Sequence, residues 1–153
     1  MIIRDVTLGD VDQISAFLKE LTALGKRTRP DDTAFVRDYY VQGPDNICCT
    51  VADDDGEVLG FQSLLNAKVG NQWGVARGGG IIGTHIRPSA ARRGVGRALF
   101  ETTHSAARAA GLPSIDATIS ATNPEGLGYY EAMGFQTYRT PEGAVCKRFD
   151  VRG

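Results

Sequence analysis

The segment PSAARRGVGRAL, residues 88–99, places two glycines one residue apart among three arginines, directly before an apolar helical pattern. Gly94 and Gly96 carry no side chain, so backbone N–H groups at the start of the following helix can approach an anion closely. The positive end of the helix dipole favours the same anion. The segment therefore predicts an anion-binding helix start, and its neighbours must show which anion is bound.

Length and composition are those of an ordinary globular protein. The 153 residues are 42% hydrophobic and 23% charged, which predicts a single domain over residues 1–153 with a substantial core. Seventeen Lys and Arg against eighteen Asp and Glu give a net charge of −1, so we expect no nucleic-acid partner. No apolar run approaches the roughly 20 residues of a membrane span, and the N-terminus has no basic region followed by an apolar one. We therefore expect no membrane partner and a cytoplasmic protein.

The three cysteines, Cys48, Cys49 and Cys146, are an odd number and form no C-x-x-C pair. No histidine cluster accompanies them, so the sequence predicts no metal site. We interpret all three as reduced thiols, as is usual in the cytosol.

Hydrophobic periodicity predicts the element order β-α-α-β-β-β-α-β-α-β-β. Asp10 is the expected N-cap of the first helix, with Gln13 three residues on. DDTAFVRDYYVQG, residues 31–43, predicts the second helix, and the glycine-rich residues 66–80 predict a loop. The third helix is expected from Gly94 to Ala110, and the fourth from Pro124. Strand-helix-strand crossovers combined with antiparallel hairpins predict an α/β sandwich with a mixed sheet.

Three kinds of site compete for the glycine segment. A P-loop requires G-x-x-x-x-G-K-[ST], and RRGVGRAL has neither the lysine nor the hydroxyl in place. A dinucleotide site requires G-x-G-x-x-G after the first strand, whereas here Leu99 stands at the third glycine position, in the second half of the chain. A cradle for the diphosphate of coenzyme A needs only the helix start and its free amides.

The third possibility matches a known pattern. IGTHIRPSAARRGVGRALF, residues 82–100, resembles the central motif of the GCN5-related N-acetyltransferase (GNAT) superfamily: a strand ending in aliphatic-x-Pro, a loop, and Q/R-x-x-G-x-G/A opening a helix. Ala91 stands where that motif has Gln or Arg, and Arg92 and Arg93 follow it.

A second segment, NPEGLGYYEAMGF, resembles the later motif of the same superfamily. Asn123, Tyr130, Gly134 and Phe135 match its anchors in order and spacing, and Gly126 replaces the usual Ala. The two motifs together cover residues 81–135.

The resemblance implies a mixed, largely antiparallel sheet of six to seven strands flanked by helices on both faces. It also implies direct transfer of an acetyl group from acetyl-CoA, without a metal, to a primary amine of a small molecule or peptide. The residues that it assigns to cofactor binding are Ile86, Arg92, Arg93, Gly94, Val95, Gly96, Arg97 and Asn123.

Tyr130 and Asn123 each have a structural interpretation beside the functional one. Tyr130 matches the general acid that protonates the leaving thiolate, and a phenol with a pKa of about 10 suits that task. Without the motif, Tyr130 and Tyr129 would be core aromatics of a short helix. Asn123 either orients the cofactor or caps the helix that begins at Pro124.

The general base is less defined, because residues 61–87 contain no acidic side chain. His85 is the nearest titratable group, and its ordinary pKa near 6.5 suits a base at neutral pH. A structural histidine and a water that relays the proton remain alternatives. Strand alternation places His85 on the face opposite Thr84, and a bulge at Gly83 that rotates the register is the alternative. The missing acidic base also leaves open a non-catalytic module that binds or senses acyl-CoA.

The resemblance implies that the first helical hairpin, residues 11–42, and the loop after the third strand shape the acceptor pocket. An arginine there, Arg37 or Arg77, would favour an amine that carries a carboxylate. We also expect a possible homodimer, since small domains with exposed sheet edges commonly pair. The candidates for the pocket are Arg29, Arg37, Tyr39, Tyr40, Trp73 and Arg77.

Overall fold

One mixed sheet of seven strands runs through residues 1–152, the part of the chain that the computed structural model describes. Its strand order is β1-β2-β3-β4-β5-β7-β6, and every neighbouring pair is antiparallel except β4 and β5. The largely antiparallel mixed sheet expected from the sequence is confirmed. The strands are β1 (Ile2–Asp5), β2 (Asn46–Asp54), β3 (Glu57–Asn66), β4 (Gly80–Ile86), β5 (Ser114–Ser120), β6 (Gln136–Arg139) and β7 (Ala144–Asp150).

Helices cover both faces of this sheet. α1 (Val11–Ala23) and the short α2 (Thr33–Phe35), which continues into a π-helical segment (Val36–Val41), pack on one face. α3 (Val95–Ala109) and α4 (Pro124–Met133) pack on the other. No helix in the described residues is both long and apolar enough to cross a membrane.

Two local expectations differ from the structure. Asp10 is the N-cap residue of α1, as expected, but its carboxylate accepts bonds from Arg4 and Thr7 and forms no capping bond to the helix. Gln13 bonds the backbone of the β2–β3 turn. The second helix is largely of the π type, which lets two adjacent tyrosines, Tyr39 and Tyr40, both contact Phe35.

The core under α1 is aromatic. The Phe61 ring of β3 contacts Tyr40 of the π-helical segment at a centroid distance of 4.7 Å and Phe17 of α1 at 5.9 Å. All three side chains are fully buried, and each contributes about 1.5–3 kcal/mol of apolar burial. This cluster fixes the π-helical segment beside β4.

On the opposite face, the first turns of α3 are anchored against β2 and β3. Val95 and Leu99 are buried against Ala52 and Leu59. This packing holds the start of α3 at a fixed place beside the end of β4.

The parallel pair β4–β5 separates along its length. In the described chain the two strands pair only at Gly80 with Ile115 and at Ile81 with Asp116. Beyond these positions they diverge, and the side of β4 that faces β5 has no strand partner. The gap opens next to the start of α3.

Candidate active site

A continuous cleft of about 1100 Å³ occupies the gap between β4 and β5. It runs from the start of α3, past the carboxyl half of β4, to the loop that follows α1. Most of the residues predicted for cofactor binding or catalysis line it: Ile86, Arg92, Gly94, Val95, Gly96, Arg97, Asn123, Tyr130 and His85.

The start of α3 presents free amides to this cleft. Gly94 is the N-cap and has a φ of 77°, a left-handed conformation that a side chain would strain. Helix geometry leaves the N–H groups of Val95, Gly96 and Arg97 without acceptors inside the helix. Arg92 also has a positive φ, of 65°, so two left-handed residues bend the loop around the helix start. Such turns create concave sites that bind anions.

Gly96 has a packing role besides leaving the helix start open. A Cβ on Gly96 would lie 2.5 Å from Cε1 of Tyr129. The Tyr129 hydroxyl donates to the Gly96 carbonyl at 2.7 Å and accepts from Gln62 Nε2 at 2.9 Å. The glycine therefore lets α4 and β3 fix the position of the first turn of α3.

The two adjacent arginines diverge. Arg92 lines the cleft, whereas the side chain of Arg93 points to β2, where it forms an exposed ion pair with Asp54 at 3.3 Å. Of the two charges that follow Ala91 in the motif, the structure directs one toward the cleft.

Tyr130 is buried on α4, with its hydroxyl 2.8 Å from Thr84 Oγ1 on β4. Thr84 Oγ1 accepts a bond from Gln62 Nε2 at 2.9 Å. Burial raises the pKa of Tyr130 well above its usual value, opposed in part by the bond to Thr84. The phenol is therefore protonated at neutral pH.

Asn123 caps α4 and also lines the cleft. Its Oδ1 accepts from the backbone N–H of Gly126 at 3.1 Å, the helix-capping role expected of an asparagine before Pro124. The capping and cofactor-binding interpretations are therefore compatible in geometry.

His85 lies on the α1 face of β4, opposite Thr84, as strand alternation predicts. Its Nε2 is 3.4 Å from the Tyr40 hydroxyl, and its ring packs on Phe61 at a centroid distance of 4.8 Å. Burial, followed by the positive charges of Arg27 and Arg29, lowers the pKa of His85 from 6.5 to about 3. The imidazole is neutral at physiological pH.

The acceptor end of the cleft lies beyond His85. Of the residues proposed for it, Arg29, Tyr39, Tyr40 and Trp73 line the cleft. The other two are not among the cleft-lining residues of the described chain: Arg77 is exposed, and Arg37 forms an exposed ion pair with Asp38 at 2.9 Å.

The comparison with known proteins agrees with these features. The family model described as acetyltransferase (GNAT) family matches residues 14–135. The chain belongs to the GNAT family.

Two curated relatives are longer than this chain and match only part of it. Mycothiol acetyltransferase of Streptomyces avermitilis is 33% identical over 90 residues, which are 59% of this chain and 27% of the relative. Peptidyl-lysine N-acetyltransferase YiaC of Escherichia coli is 26% identical over 105 residues, 69% of this chain and 59% of the relative. The matched part of this chain thus spans less than two thirds of either relative.

The fold is also that of solved GNAT-type structures. yncA of Salmonella typhimurium, solved with its cofactor acetyl-CoA, superposes with a TM-score of 0.75 at 17% identity, covering 98% of this chain and 93% of that one. In this chain the unpaired side of β4 offers backbone groups to an extended ligand, and the free amides of α3 offer donors to an anion.

Three residues of the site in this GNAT protein are not predicted from its sequence. Gln62 and Thr84 connect Tyr129 and Tyr130 through hydrogen bonds, and Arg27 bonds the Tyr40 hydroxyl at 3.2 Å. The sequence signal for Gln62 is that it and Ser63 are polar residues within the mostly apolar stretch VLGFQSLL. Arg27 lies in a polar loop segment and gave no such signal.

Proposed function

We propose that this protein is an N-acetyltransferase that moves the acetyl group of acetyl-CoA to a primary amine of a small molecule or peptide in a ternary complex. One observation carries the proposal. The free amides of α3, the unpaired side of β4, Tyr130 and His85 all open into the same cleft.

Backbone groups and two arginines would bind acetyl-CoA. The N–H groups of Val95, Gly96 and Arg97 would hold the diphosphate, with Arg92 and Arg97 adding positive charge. The backbone of β4 near Ile86 would bond the pantetheine arm as a neighbouring strand does and polarise the thioester carbonyl.

Bound acetyl-CoA supplies the acetyl group as a thioester: a carbon–nitrogen bond forms, the carbon–sulfur bond breaks, the amine loses a proton and the leaving sulfur gains one. Tyr130 is the proposed donor to that sulfur. Because Thr84 Oγ1 already accepts from Gln62, its own proton can bond the Tyr130 oxygen and leave the phenol proton free to transfer.

His85 is the proposed proton acceptor. Its ring is neutral, which is the state that a base requires. The Tyr40 oxygen accepts from Arg27 and has a second lone pair, so it can also accept from a protonated His85 Nε2, which orients the ring and leaves Nδ1 as the nitrogen that takes the proton. Burial, followed by the charges of Arg27 and Arg29, keeps the pKa of His85 low, and water relaying the proton is the alternative to His85 as the base.

The three thiols support transfer without a covalent enzyme intermediate. None of the cysteines lines the cleft in the described structure, and burial raises the pKa of Cys48 to about 11. A thiol of this kind carries almost no thiolate at neutral pH. Free cysteines also support the cytoplasm as the compartment that we propose.

One feature favours the non-catalytic alternative. Among cleft-lining residues of the described chain the only carboxylate is Glu125, which pairs with Lys26 at 3.1 Å. The alternative and the enzyme are separated by measuring free thiol from acetyl-CoA with and without a panel of amines. Thermal stabilisation by acetyl-CoA is expected under both. Amine-dependent thiol release supports the enzyme, and stabilisation without any release would leave a binding module.

A further inference from the structure

The acceptor end of the cleft contains two arginines that lack a carboxylate partner. Arg27 is only 7% exposed, Arg29 is partly buried, and neither forms an ion pair within residues 1–152. Both line the cleft. Buried charges in proteins are normally paired, because removing an unpaired charge from water is expensive.

The partners that Arg27 does have are neutral. Its Nε and one terminal nitrogen donate to the Pro30 carbonyl, at 3.3 and 2.7 Å, and the same terminal nitrogen donates to the Tyr40 hydroxyl. These bonds orient the guanidinium group but leave its charge uncompensated. A ligand anion entering the cleft would supply the missing charge.

Arg29 is held by aromatic faces. Its guanidinium carbon lies 4.8 Å from the ring centroid of Tyr39 and 5.5 Å from that of Trp73. Contacts of this kind fix the guanidinium group and leave its N–H groups free for a planar acceptor. A carboxylate is the acceptor that matches this geometry, because it can accept two parallel bonds.

The two arginines are near the proposed reaction centre. The Tyr40 hydroxyl bonds both Arg27, at 3.2 Å, and His85, at 3.4 Å, so one phenol group separates the buried charge from the imidazole. A substrate held by Arg27 and Arg29 would therefore present an amine to His85 only if its amine and its anion are separated by a few bonds.

We propose that the acceptor substrate is a primary amine that carries a carboxylate a few bonds away, the chemistry of a free amino acid, with Arg27 and Arg29 binding the carboxylate. Leu21, Leu65 and Ile81 line the same region and favour an apolar side chain. The proposal rests on the proposed N-acetyltransferase function, whose acetyl group would form the amide with that amine and leave the free thiol of coenzyme A.

The kinetic test uses matched acceptors with and without the carboxylate. Leucine, methionine and phenylalanine are each compared with their carboxamides, and a lysine-containing peptide blocked at both ends serves as the competing class. We expect kcat/KM to be at least about tenfold higher for the acids, the ratio that a lost charged contact of about 1.4 kcal/mol gives. Equal or better use of the amides, or of the peptide, overturns the proposal.

The matched variants are Arg29→Gln and Arg37→Gln. Arg29 lies in the cleft, whereas Arg37 lies in the same region of the chain and pairs with Asp38 on the surface. Arg29→Gln is expected to lower the ratio of kcat/KM for the acids to that for the amides by about tenfold, and Arg37→Gln to leave this ratio unchanged. A preference that survives in Arg29→Gln and in Arg27→Gln contradicts the assignment.

A binding measurement separates this proposal from the enzymatic one. Trp73 is the only tryptophan in the sequence and lies beside Arg29, so its fluorescence reports occupancy of this end without any chemistry. With coenzyme A present, leucine is expected to change the emission at lower concentration than leucinamide. If no amine releases thiol but leucine still binds preferentially, the transferase function fails and the carboxylate site stands. If the acids bind no better than the amides, the carboxylate site fails.

Discussion

The hydroxyl of Tyr130 and that of Thr84 lie 2.8 Å apart and join α4 to β4, and both residues line the cleft. Gln62, fully buried on β3, donates to the same Thr84 oxygen. Because Gln62 occupies one lone pair of Thr84 Oγ1, the Thr84 hydroxyl can donate to the phenol oxygen and leave the Tyr130 proton without an acceptor in that bond.

Replacing Tyr130 by Phe is expected to lower kcat by about 100-fold or more, the usual contribution of a general acid. The KM for acetyl-CoA should change little, because the ring and its packing are kept. Tyr138→Phe is the control, since that hydroxyl bonds Asp116 on the other side of β5 and β7. Steady-state thiol release measures all three proteins, and an unchanged kcat in Tyr130→Phe would remove Tyr130 from the acid role.

Replacing Gly96 by Ala is expected to destabilise the protein by about 1–3 kcal/mol, the usual cost of overpacking, because the new methyl group would clash with the Tyr129 ring. The displaced helix start should also bind acetyl-CoA more weakly. Urea unfolding and calorimetric titration measure the two effects.

Gly128→Ala is the control for this variant. Gly128 is also within a helix, but an added Cβ there would contact nothing within 4 Å in the described chain, so up to about 1 kcal/mol of stabilisation is expected. Equal stability of the two alanine variants would contradict the role assigned to Gly96.

The neighbouring arginines of the loop before α3 should behave differently. Arg92→Gln is expected to weaken acetyl-CoA binding by about tenfold, or about 1.4 kcal/mol, because Arg92 lines the cleft. Arg93→Gln should leave the affinity nearly unchanged, because Arg93 pairs with Asp54 outside it. Calorimetric titration at low ionic strength compares them, and equal losses in both variants would show that the structure assigns the charges wrongly.

His85 should make the protein less stable in acid. The unfolded chain binds a proton at His85 near pH 6.5, whereas the folded protein binds it only near pH 3, so acidification through this range favours unfolding. The contribution of the neutral ring to stability is therefore complete above pH 6.5 and decreases progressively below it.

Urea unfolding of the parent protein and of His85→Asn between about pH 4 and pH 7 measures the effect, because the proton linkage acts over this range. The variant should depend less steeply on pH than the parent protein. His104→Asn, at the partly exposed second histidine on α3, should change the slope less. A slope that His85→Asn leaves unaltered would contradict the low pKa, whose causes are burial and the charges of Arg27 and Arg29.

Local patterns predicted most of the elements and the start of α3. Gly94 is required by its own backbone conformation, and the apolar repeat that follows it is enough to indicate a helix. The π-helical geometry of residues 36–41 could not be predicted in this way, because it depends on Tyr40 packing against Phe61, a contact between distant parts of the chain. The position of Arg27 likewise follows from its bonds to Pro30 and Tyr40, which no local repeat encodes.

The divergence of β4 from β5 divides the sheet into two halves, one of β1, β2, β3 and β4 and the other of β5, β7 and β6. In the described residues the two halves are paired only at Gly80 and Ile81 of β4. A ligand that bonds to both walls of this gap would join the halves, so binding should cooperatively strengthen the whole sheet. Among residues 82–86, we expect the amide protons that point into the gap, and not those bonded to β3, to exchange with solvent quickly in the free protein and slowly once acetyl-CoA is bound. Catalysis and mechanical integrity of the fold would then depend on the same molecule.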